Sequence, residues 1–358
     1  MAPVLIELKR HQGFFKTKIC VTAQHREMLD QVLGIFGIVP DIDLHLMEPD
    51  QDLHTLTSRV MIEVSRVLEE ERPDLLLVQG DTTTVMTASL AAFYQKVPVG
   101  HIEAGLRTKD SCFPFPEEMN RRLTSVLANY HFAPTERARQ ALLREDVPKD
   151  RIFVTGNTVI DALHLILNRP KPDRVKDILK SGDLSSSGKK LILVTAHRRE
   201  NFGQPLEEIC RGLKALAERN QDVCIFYPVH LNPNVRKPVF RILQNVKGIH
   251  LIDPVEYDVM THLMKESYFI ITDSGGIQEE APSLGRPVLI LRTKTERPEV
   301  VEAGVAKIIG PKADAIIREG ERLLHDRDEY MNMAKTISPY GDGKAAERIT
   351  RVLIENHT

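Results

Sequence analysis

Carboxylates that could do chemistry stand at three places in the first half of the sequence, two after apolar runs and one in the first turn of a predicted helix. Asp81 stands in Gly80–Thr84 (GDTTT), Glu103 in His101–Thr108 (HIEAGLRT) and Glu117 in Pro114–Arg121 (PFPEEMNR). Ionisable side chains at the ends of neighbouring parallel strands can converge on one point, where paired carboxylates can move protons as general acid and base. The simpler alternatives are a helix N-cap at Asp81 and compensation of a helix dipole by the acidic pair at Glu117.

Basic groups and glycines follow apolar runs in the second half. His197 lies in Thr195–Asn201 (TAHRREN), after LILV, and this basic stretch suits a phosphate better than a core. Asp273–Glu280 (DSGGIQEE) follows FIIT. Its Ser274, Gly275 and Gly276 would let a diphosphate approach the backbone N–H groups at a helix N-terminus. An acidic residue one helical turn further on could accept a ribose diol.

Composition and missing motifs exclude several functional classes. The 358 residues have a net charge of −2, so no broad basic field favours a nucleic-acid partner. The sequence lacks HExxH, paired cysteines, the GxxxxGK[ST] phosphate loop and GxGxxG, which argues against metal, NTPase and dinucleotide chemistry. No apolar run reaches the length of a membrane span and no signal peptide is present, so we expect a cytoplasmic protein with no membrane partner.

Short apolar runs alternate with amphipathic segments from end to end, which is typical of α/β folds with parallel strands. The predicted strands are Lys18–Thr22, Leu75–Gln79, Val97–Ile102, Tyr130–Ala133, Ile152–Val154, Lys190–Thr195, Val223–Pro228, Ile249–Ile252, Phe269–Thr272, Val288–Leu291 and Ala306–Ile309. The predicted helices include Glu27–Phe36, Leu53–Glu70, Leu206–Arg219, Tyr257–Lys265 and Lys344–Asn356.

Residues 169–189 are poor in apolar side chains and hold prolines and a serine run, which predicts a surface linker. We therefore expect two doubly wound, Rossmann-like domains facing a cleft: 1–168 on the sugar side and 190–340 on the nucleotide side, with a C-terminal helix in 341–358. Ligands of such sheets bind beyond the carboxyl ends of the strands.

The N-terminus departs from this pattern. Pro3–Arg10 (PVLIELKR) predicts a helix, with a proline near its first turn, and a strand follows at Lys18. A doubly wound domain normally opens with a strand and a glycine-containing turn. The first strand of domain 1 is therefore expected to be missing from this chain.

The sequence resembles the non-hydrolysing UDP-N-acetylglucosamine 2-epimerases of bacteria. The resemblance lies in the runs VTAQHREMLDQV, GDTTT, PVGHIEAGLRT, PEEMNRRLT, TGNTVIDAL, TAHRREN, YPVHLNPNVR, TDSGGIQEEAPSLGRPVL, ERPE and PYGDG, which cover nearly the whole chain. It implies the GT-B-like fold of many nucleotide-sugar glycosyltransferases, with the C-terminal helix crossing back to the first domain. It also implies a homodimer that needs no metal or redox cofactor.

The resemblance further implies a reaction and a set of residues. UDP would be eliminated in the anti sense from UDP-N-acetylglucosamine to leave a 2-acetamidoglucal, and would add back after protonation of C2 on the other face, giving UDP-N-acetylmannosamine. The implied residues at the sugar are Asp81, Glu103, Glu117 and His197. Those at UDP are Ser274, Gly275, Gly276, Glu280, Arg297, Val255 and Met260. Which carboxylate removes the C2 proton stays open.

Two parts of the sequence differ from the family pattern. Relatives begin with a strand, a Gly-Thr-Arg-Pro-Glu loop and a lysine before the Met-Ala-Pro that opens this chain. Some bacterial members also carry a regulatory UDP-N-acetylglucosamine site around the TAQHR run. Gln24 and His25 match that site, whereas Glu27 and Asp50 replace a glutamine and an arginine.

Three other functions remain as alternatives to the non-hydrolysing epimerase. A hydrolysing 2-epimerase would release UDP and N-acetylmannosamine, although the intact HIEAGLRT and PEEMNRR runs favour the non-hydrolysing type. A glycosyltransferase rests on fold analogy alone and requires an acceptor. A non-catalytic nucleotide-sugar binder is compatible with the shortened N-terminus.

Overall fold

The computed structural model describes residues 1–22, 26–46, 51–108, 110–112, 114–184 and 188–357. Its strands are β1 (Cys20–Val21), β2 (Ile42–Asp43), β3 (Leu76–Gln79), β4 (Val99–Ile102), β5 (Tyr130–Ala133), β6 (Ile152–Val154), β7 (Lys190–Thr195), β8 (Val223–Pro228), β9 (Ile249–Ile252), β10 (Phe269–Thr272), β11 (Val288–Ile290) and β12 (Ala306–Ile308). All eleven predicted strands are confirmed, and β2 is an addition.

The helices begin with α1 (Ala2–Arg10), which confirms the helix predicted at the start of the chain. The others are α2 (Arg26–Phe36), α3 (Leu53–Glu71), α4 (Thr83–Tyr94), α5 (Glu117–Leu127), α6 (Glu136–Leu143), α7 (Thr158–Leu167), α8 (Asp173–Ser181), α9 (Gln204–Arg219), α10 (Pro233–Leu243), α11 (Tyr257–Glu266), α12 (Gly275–Ser283), α13 (Pro298–Glu302), α14 (Ala313–His325), α15 (Arg327–Met333) and α16 (Ala345–His357).

The chain divides into two compact units. One contains Met1–Ala162 together with Tyr340–Thr358, and the other contains Leu163–Pro339. In the first unit, β3, β4, β5 and β6 form a parallel sheet in that order, and β1 pairs with β2 as a separate parallel ribbon. In the second unit, the parallel order is β12-β11-β10-β7-β8-β9.

Helices cover both faces of the first unit's sheet. Val78 of β3 packs in a cluster with α3 and α4, whereas its neighbour Leu77 packs in a cluster with α1 and α16. Successive strand residues point to opposite faces, so these two clusters are the two cores of the layered unit. In the second cluster, Val4 and Leu8 of α1 pack together with Leu353 of α16.

A buried carboxylate fixes the start of α16. The Asp161 side chain accepts the backbone N–H of Ala345 at 3.1 Å and that of Ala346 at 2.8 Å. These are the first residues of α16, whose N–H groups have no partner within the helix. Residues of α7 thus anchor the C-terminal helix within the first unit.

The segment predicted as a linker is more ordered than expected. Residues 173–181 form α8, and Val175 and Ile178 on this helix are buried in the second unit. Two apolar residues three positions apart are enough to hold one helical face. The other residues of this helix are exposed or half-buried, which accounts for its low apolar content.

Residues of the second unit's core come from both its sheet and its helices. Ile192 of β7, Ile225 of β8, Leu213 of α9 and Ile316 of α14 belong to one buried cluster. A Cβ atom at Gly212 would lie 3.0 Å from the Ile316 Cβ, so glycine permits the close approach of α9 and α14. Among the described residues, no helix is both long enough and apolar enough to cross a membrane.

Candidate active site

The first unit brings two of the predicted carboxylates to one edge of its sheet. β3 and β4 pair in parallel with Gln79 opposite Ile102, and the Gly80 N–H donates to the Ile102 carbonyl at 3.1 Å. A Cβ atom at Gly80 would lie 3.9 Å from Oε2 of Glu103. The turns that carry Asp81 and Glu103 are therefore neighbours at the carboxyl edge.

Glu103 occupies a backbone conformation that is unusual for its type. Its φ is +67°, in the left-handed region, where a residue with a Cβ atom costs about 1–2 kcal/mol. Gly80 across the edge also has a positive φ, +85°, but as glycine it carries no such cost. A glutamate held in this conformation at a strand end is typical of a functional position.

Arg121 and Asn120 of α5 hold Asp81. The Arg121 guanidinium donates to Oδ2 of Asp81 through Nε at 3.0 Å and through Nη2 at 2.7 Å. Asn120 Nδ2 donates to the Asp81 backbone carbonyl at 2.9 Å. Arg121 is buried, whereas the Asp81 side chain is 32% exposed. The carboxylate is thus fixed from the protein side and open on the other.

The two adjacent glutamates of α5 have different surroundings. Glu118 is buried and accepts from the Thr108 N–H at 3.0 Å and from Arg121 Nη1 at 3.2 Å. Glu117 is half-buried, and its Oε2 is shielded from water without a hydrogen-bond partner among the described residues. A shielded carboxylate oxygen without a partner costs free energy, and a catalytic role is one explanation for such a group. Glu118 therefore holds Arg121 in place, whereas Glu117 is the glutamate that can contact a substrate.

A buried histidine supports the turn that carries Asp81. His101 Nε2 lies 2.8 Å from the Gly80 carbonyl oxygen. Burial lowers the pKa of His101 to about 4, so the ring is neutral near pH 7 and donates this bond through its Nε2–H. The HIEAGLRT run contains His101, but no local pattern predicts a role for this residue. The structure makes it a support for the Gly80–Asp81 turn.

The second unit presents its site at the point where the strand order reverses. The chain runs from β7 outward through β8 and β9, then returns to place β10 on the other side of β7. Ligands of open parallel sheets bind at such a reversal, beyond the strand ends. His197 follows β7 and Ser274 follows β10, and Thr195 pairs with Thr272 in register between these strands.

Asp273 ties these two strand ends together. It is 0% exposed, and its Oδ2 accepts the backbone N–H groups of His197 at 2.9 Å and Arg198 at 2.8 Å. Asn201 Nδ2 donates to the same oxygen at 3.0 Å. No local pattern in the sequence predicts this role for Asp273, because its partners lie more than 70 positions away.

His197 lies at the surface of this anchor. Its ring stacks on that of His230, with centroids 5.5 Å apart and an interplanar angle of 17°. The side chain is 39% exposed, and Nδ1 lies 3.7 Å from Oδ1 of Asp273. Partial burial lowers the pKa of His197, opposed by the Asp273 carboxylate and reinforced by His230 and Arg198.

Ser274, Gly275 and Gly276 lie at the N-terminus of α12, directly after β10. Ser274 makes no side-chain cap bond to this helix, and its N–H donates to Thr272 Oγ1 at 2.9 Å. A Cβ atom at Gly275 would lie 3.5 Å from Arg198 Nη2, and one at Gly276 would lie 4.0 Å from Glu280 Oε2. Gly275 is buried, whereas Gly276 is exposed and Ser274 half-buried, so Ser274 and Gly276 present this helix N-terminus to an anion, with Arg198 beside it.

Glu280 is buried one helical turn further along α12. Tyr257 of α11 donates its hydroxyl to Glu280 Oε1 at 2.5 Å. Burial raises the pKa of Glu280 to about 8, with a contribution from the Glu279 charge, while the Tyr257 bond opposes the increase. The pair offers buried hydrogen-bonding oxygens, which suits a neutral hydroxyl-bearing group such as a ribose.

The other residues expected at the nucleotide lie around α11, α12 and α13. Arg297 precedes α13 and pairs through Nε with the buried Glu279. Val255 and Met260, at and near the start of α11, are half-buried. The described residues contain no group of three His, Cys, Asp or Glu side chains that could hold a metal ion.

Comparison with known proteins identifies the family. The profile of the family described as UDP-N-acetylglucosamine 2-epimerase matches residues 6–354. The UDP-N-acetylglucosamine 2-epimerase of Escherichia coli (strain K12) is 54% identical over an alignment of 358 positions that covers 99% of this chain and 95% of that protein. The chain belongs to the UDP-N-acetylglucosamine 2-epimerase family.

Solved structures of this family have the same fold. The UDP-GlcNAc 2-epimerase of Neisseria meningitidis bound to UDP-GlcNAc matches with a TM-score of 0.89 and 49% identity, covering 99% of this chain and 96% of that chain. The Methanocaldococcus jannaschii enzyme in complex with UDP-GlcNAc and UDP matches with a TM-score of 0.80 and 33% identity, covering 99% and 95%. The expected fold class, two parallel-sheet α/β units of the GT-B-like kind, is confirmed.

The structure gives the positions of the predicted site residues but not their roles in the reaction. The structure places Asp81 and Glu103 at one sheet edge, with Glu117 beside the residues that hold Asp81, and it places His197, Ser274 and Glu280 at the strand reversal of the second unit. Their roles in the epimerase reaction stay predictions. Gln24 and His25, predicted for a regulatory site, lie outside the described residues.

Proposed function

We propose that the protein interconverts UDP-N-acetylglucosamine and UDP-N-acetylmannosamine by inverting C2, without net release of UDP. The observation that carries the proposal is the set of three carboxylates in the first unit, each in a different environment. Asp81 is clamped by Arg121, Glu103 sits on a left-handed turn, and Glu117 has an unpartnered oxygen. The family relationship supports the identity of the substrate.

The reaction begins with removal of the C2 proton by a carboxylate. The C2–H electron pair forms a C1=C2 double bond, the C1–O bond breaks on the opposite side, and UDP leaves with the electron pair of the C1–O bond. In the return step, a second carboxylate delivers a proton to the other face of C2 while a UDP oxygen adds to C1. Asp81 and Glu117 are the acid/base pair, and Glu103 positions the sugar. This chemistry uses no metal or redox cofactor.

The second unit binds UDP during all steps of this reaction. Backbone N–H groups at Ser274, Gly275 and Gly276 receive the diphosphate, and His197 and Arg297 stabilise the charge that develops as UDP departs. Glu280 accepts the ribose hydroxyls, and Val255 and Met260 line the uracil. Retention of UDP and the glucal away from water separates epimerisation from hydrolysis.

A product assay tests the proposal. The protein is incubated with UDP-N-acetylglucosamine, and the products are resolved by ion-exchange chromatography and proton NMR. We expect UDP-N-acetylmannosamine at an equilibrium that is also reached from the reverse direction. Stoichiometric UDP and free N-acetylmannosamine would indicate the hydrolysing reaction instead. Tight binding of UDP without turnover would indicate a non-catalytic nucleotide-sugar binder.

The outer face of α5 supports the proposal that the protein is a homodimer. Met119, Leu123 and Val126 are 39%, 43% and 84% exposed, and their spacing places them on one stripe of the helix. A surface stripe of large apolar side chains is typical of a protein interface. We assign it to a second copy of this chain, because the resemblance implies a homodimer.

Sedimentation equilibrium of wild type and Val126→Asp tests the dimer. We expect a dimer for wild type at micromolar concentration and a monomer for the variant. Val39→Asp introduces the same charge at a 78%-exposed residue on a different part of the first unit and should stay dimeric. A monomeric wild type would overturn the dimer proposal. A dimeric V126D would show that the α5 stripe is not the interface.

A further inference from the structure

Asp273 carries one carboxylate oxygen whose role the turn does not explain. Oδ2 receives three N–H groups, from His197, Arg198 and Asn201, and these bonds account for the anchoring of the 197–201 turn. Oδ1 is equally buried and has no hydrogen-bond partner among the described residues. A fully buried carboxylate oxygen without a donor is costly, so a donor is expected to engage it in the working protein.

The nearest ring nitrogen to that oxygen belongs to His197. Nδ1 lies 3.7 Å from Oδ1, about 0.5–1 Å beyond an ordinary N–H···O bond. The three bonds to Oδ2 fix the backbone of the 197–201 turn beside this oxygen, while the His197 side chain stays 39% exposed.

We propose that Asp273 is a positioning residue that binds Nδ1–H of His197 and thereby directs the protonated Nε2 toward the departing UDP. The inference rests on the proposed function, in which His197 stabilises the UDP leaving group. A histidine whose far nitrogen is held by a buried carboxylate has one fixed tautomer and orientation. Asp273 itself touches neither UDP nor the sugar.

The charges around His197 agree with this arrangement. His230 stacks on its ring, Arg198 is the next residue, and both disfavour a protonated His197, whereas Asp273 favours it. Tyr227, from β8, is buried nearby and donates its hydroxyl to the Ala196 carbonyl. Burial, His230 and Arg198 together lower the pKa of His197, and Asp273 is the group that opposes this decrease and favours the imidazolium.

Nitrogen NMR of the wild-type ring tests the proposal without any change to Asp273. With ¹⁵N-labelled histidine and H197Q to assign the signal, we expect the neutral form of His197 to carry its proton on Nδ1. A proton on Nε2 in the neutral form would overturn the proposal. This readout does not depend on turnover, so it stays decisive if the epimerase proposal fails in the product assay.

Kinetics provide the second test, once wild-type turnover is established. We expect D273N to lower kcat about 10- to 100-fold, the range given for loss of a hydrogen-bond partner behind a metal-bound histidine. Loss of the negative charge lowers the pKa of His197, so the alkaline fall in kcat should move to lower pH. The matched control N201A removes one Oδ2 bond without changing charge, and its pH profile should keep the wild-type shape.

A double-variant cycle separates action through His197 from independent support of the fold. If Asp273 acts through His197, D273N combined with H197Q should be no slower than H197Q alone. A double variant whose loss equals the product of the two single losses would overturn the proposal. An unchanged pH profile in a folded D273N would overturn it as well.

Discussion

Replacement of Glu280 by glutamine should stabilise the protein at alkaline pH. Glu280 is buried on α12, and burial raises its pKa from 4.5 to about 8. Since the folded carboxyl binds its proton more tightly than the unfolded one, folding stability falls as pH rises from about 4.5 to 8, and the loss is complete above that range. Glutamine keeps an oxygen that can accept the Tyr257 hydroxyl but has no charge to bury.

The size of the effect follows from the pKa shift. One pKa unit corresponds to about 1.4 kcal/mol, so a shift from 4.5 to about 8 corresponds to at most about 5 kcal/mol between the two protonation states. Relaxation around the charge reduces this figure. We expect E280Q to exceed wild type by at least about 2 kcal/mol at pH 9 and to match it within about 1 kcal/mol at pH 5.

Urea unfolding of wild type and E280Q at the two pH values measures this difference. Far-ultraviolet circular dichroism is the suitable signal, because the chain contains no tryptophan. Glu218→Gln is the matched control, since Glu218 is a solvent-exposed glutamate of the same unit, and it should show no pH-dependent gain. Equal stabilities of E280Q and wild type at pH 9 would refute the assignment of a charge cost to Glu280.

Three further predictions concern the first unit. D81N and E117Q should each lower kcat for UDP-N-acetylglucosamine about 10²-fold or more with folding retained, and normal steady-state turnover in either variant would remove that residue from the acid/base pair. R121K loses the two-pronged hold on Asp81 and should lower kcat while the urea midpoint changes little; equal kcat values would contradict that role. D161A leaves the first two amides of α16 unpaired and should cost about 2–6 kcal/mol by urea unfolding; a change below about 1 kcal/mol would contradict the capping role.

Local patterns in the sequence predicted most of the fold. Buried parallel strands such as Lys190–Thr195 and Phe269–Thr272 were predicted with the bounds that the structure has, because continuous apolar runs of this length have few alternatives between helical segments. The two-residue strand β2 (Ile42–Asp43) is too short to produce a periodic signal. Helix α8 was not predicted, because only two residues, Val175 and Ile178, are buried on it.

The candidate site was predictable as a set of residues and less so as a set of contacts. Strand ends revealed Asp81, Glu103 and His197, since polar residues after apolar runs stand out in any sequence. The different roles of Glu117 and Glu118 could not be predicted, because two adjacent glutamates are equivalent until their partners are known.

The supporting residues depend on contacts between distant parts of the chain. Arg121 grips a carboxylate 40 positions before it, and Asp273 binds the His197 amide from 76 positions away. His101 reaches the Gly80 carbonyl from the neighbouring strand. No local pattern marks such pairs, which appear only when the sheet brings strand ends together.

Isotope incorporation at C2 tests the central claim most directly. The protein is incubated with UDP-N-acetylglucosamine in deuterated water, and the epimerised product is examined by proton NMR and mass spectrometry. If a carboxylate removes the C2 proton and another returns one from the opposite face, UDP-N-acetylmannosamine should carry solvent deuterium at C2. An epimerised product that retains its original C2 hydrogen would contradict the elimination mechanism and the roles assigned to Asp81 and Glu117.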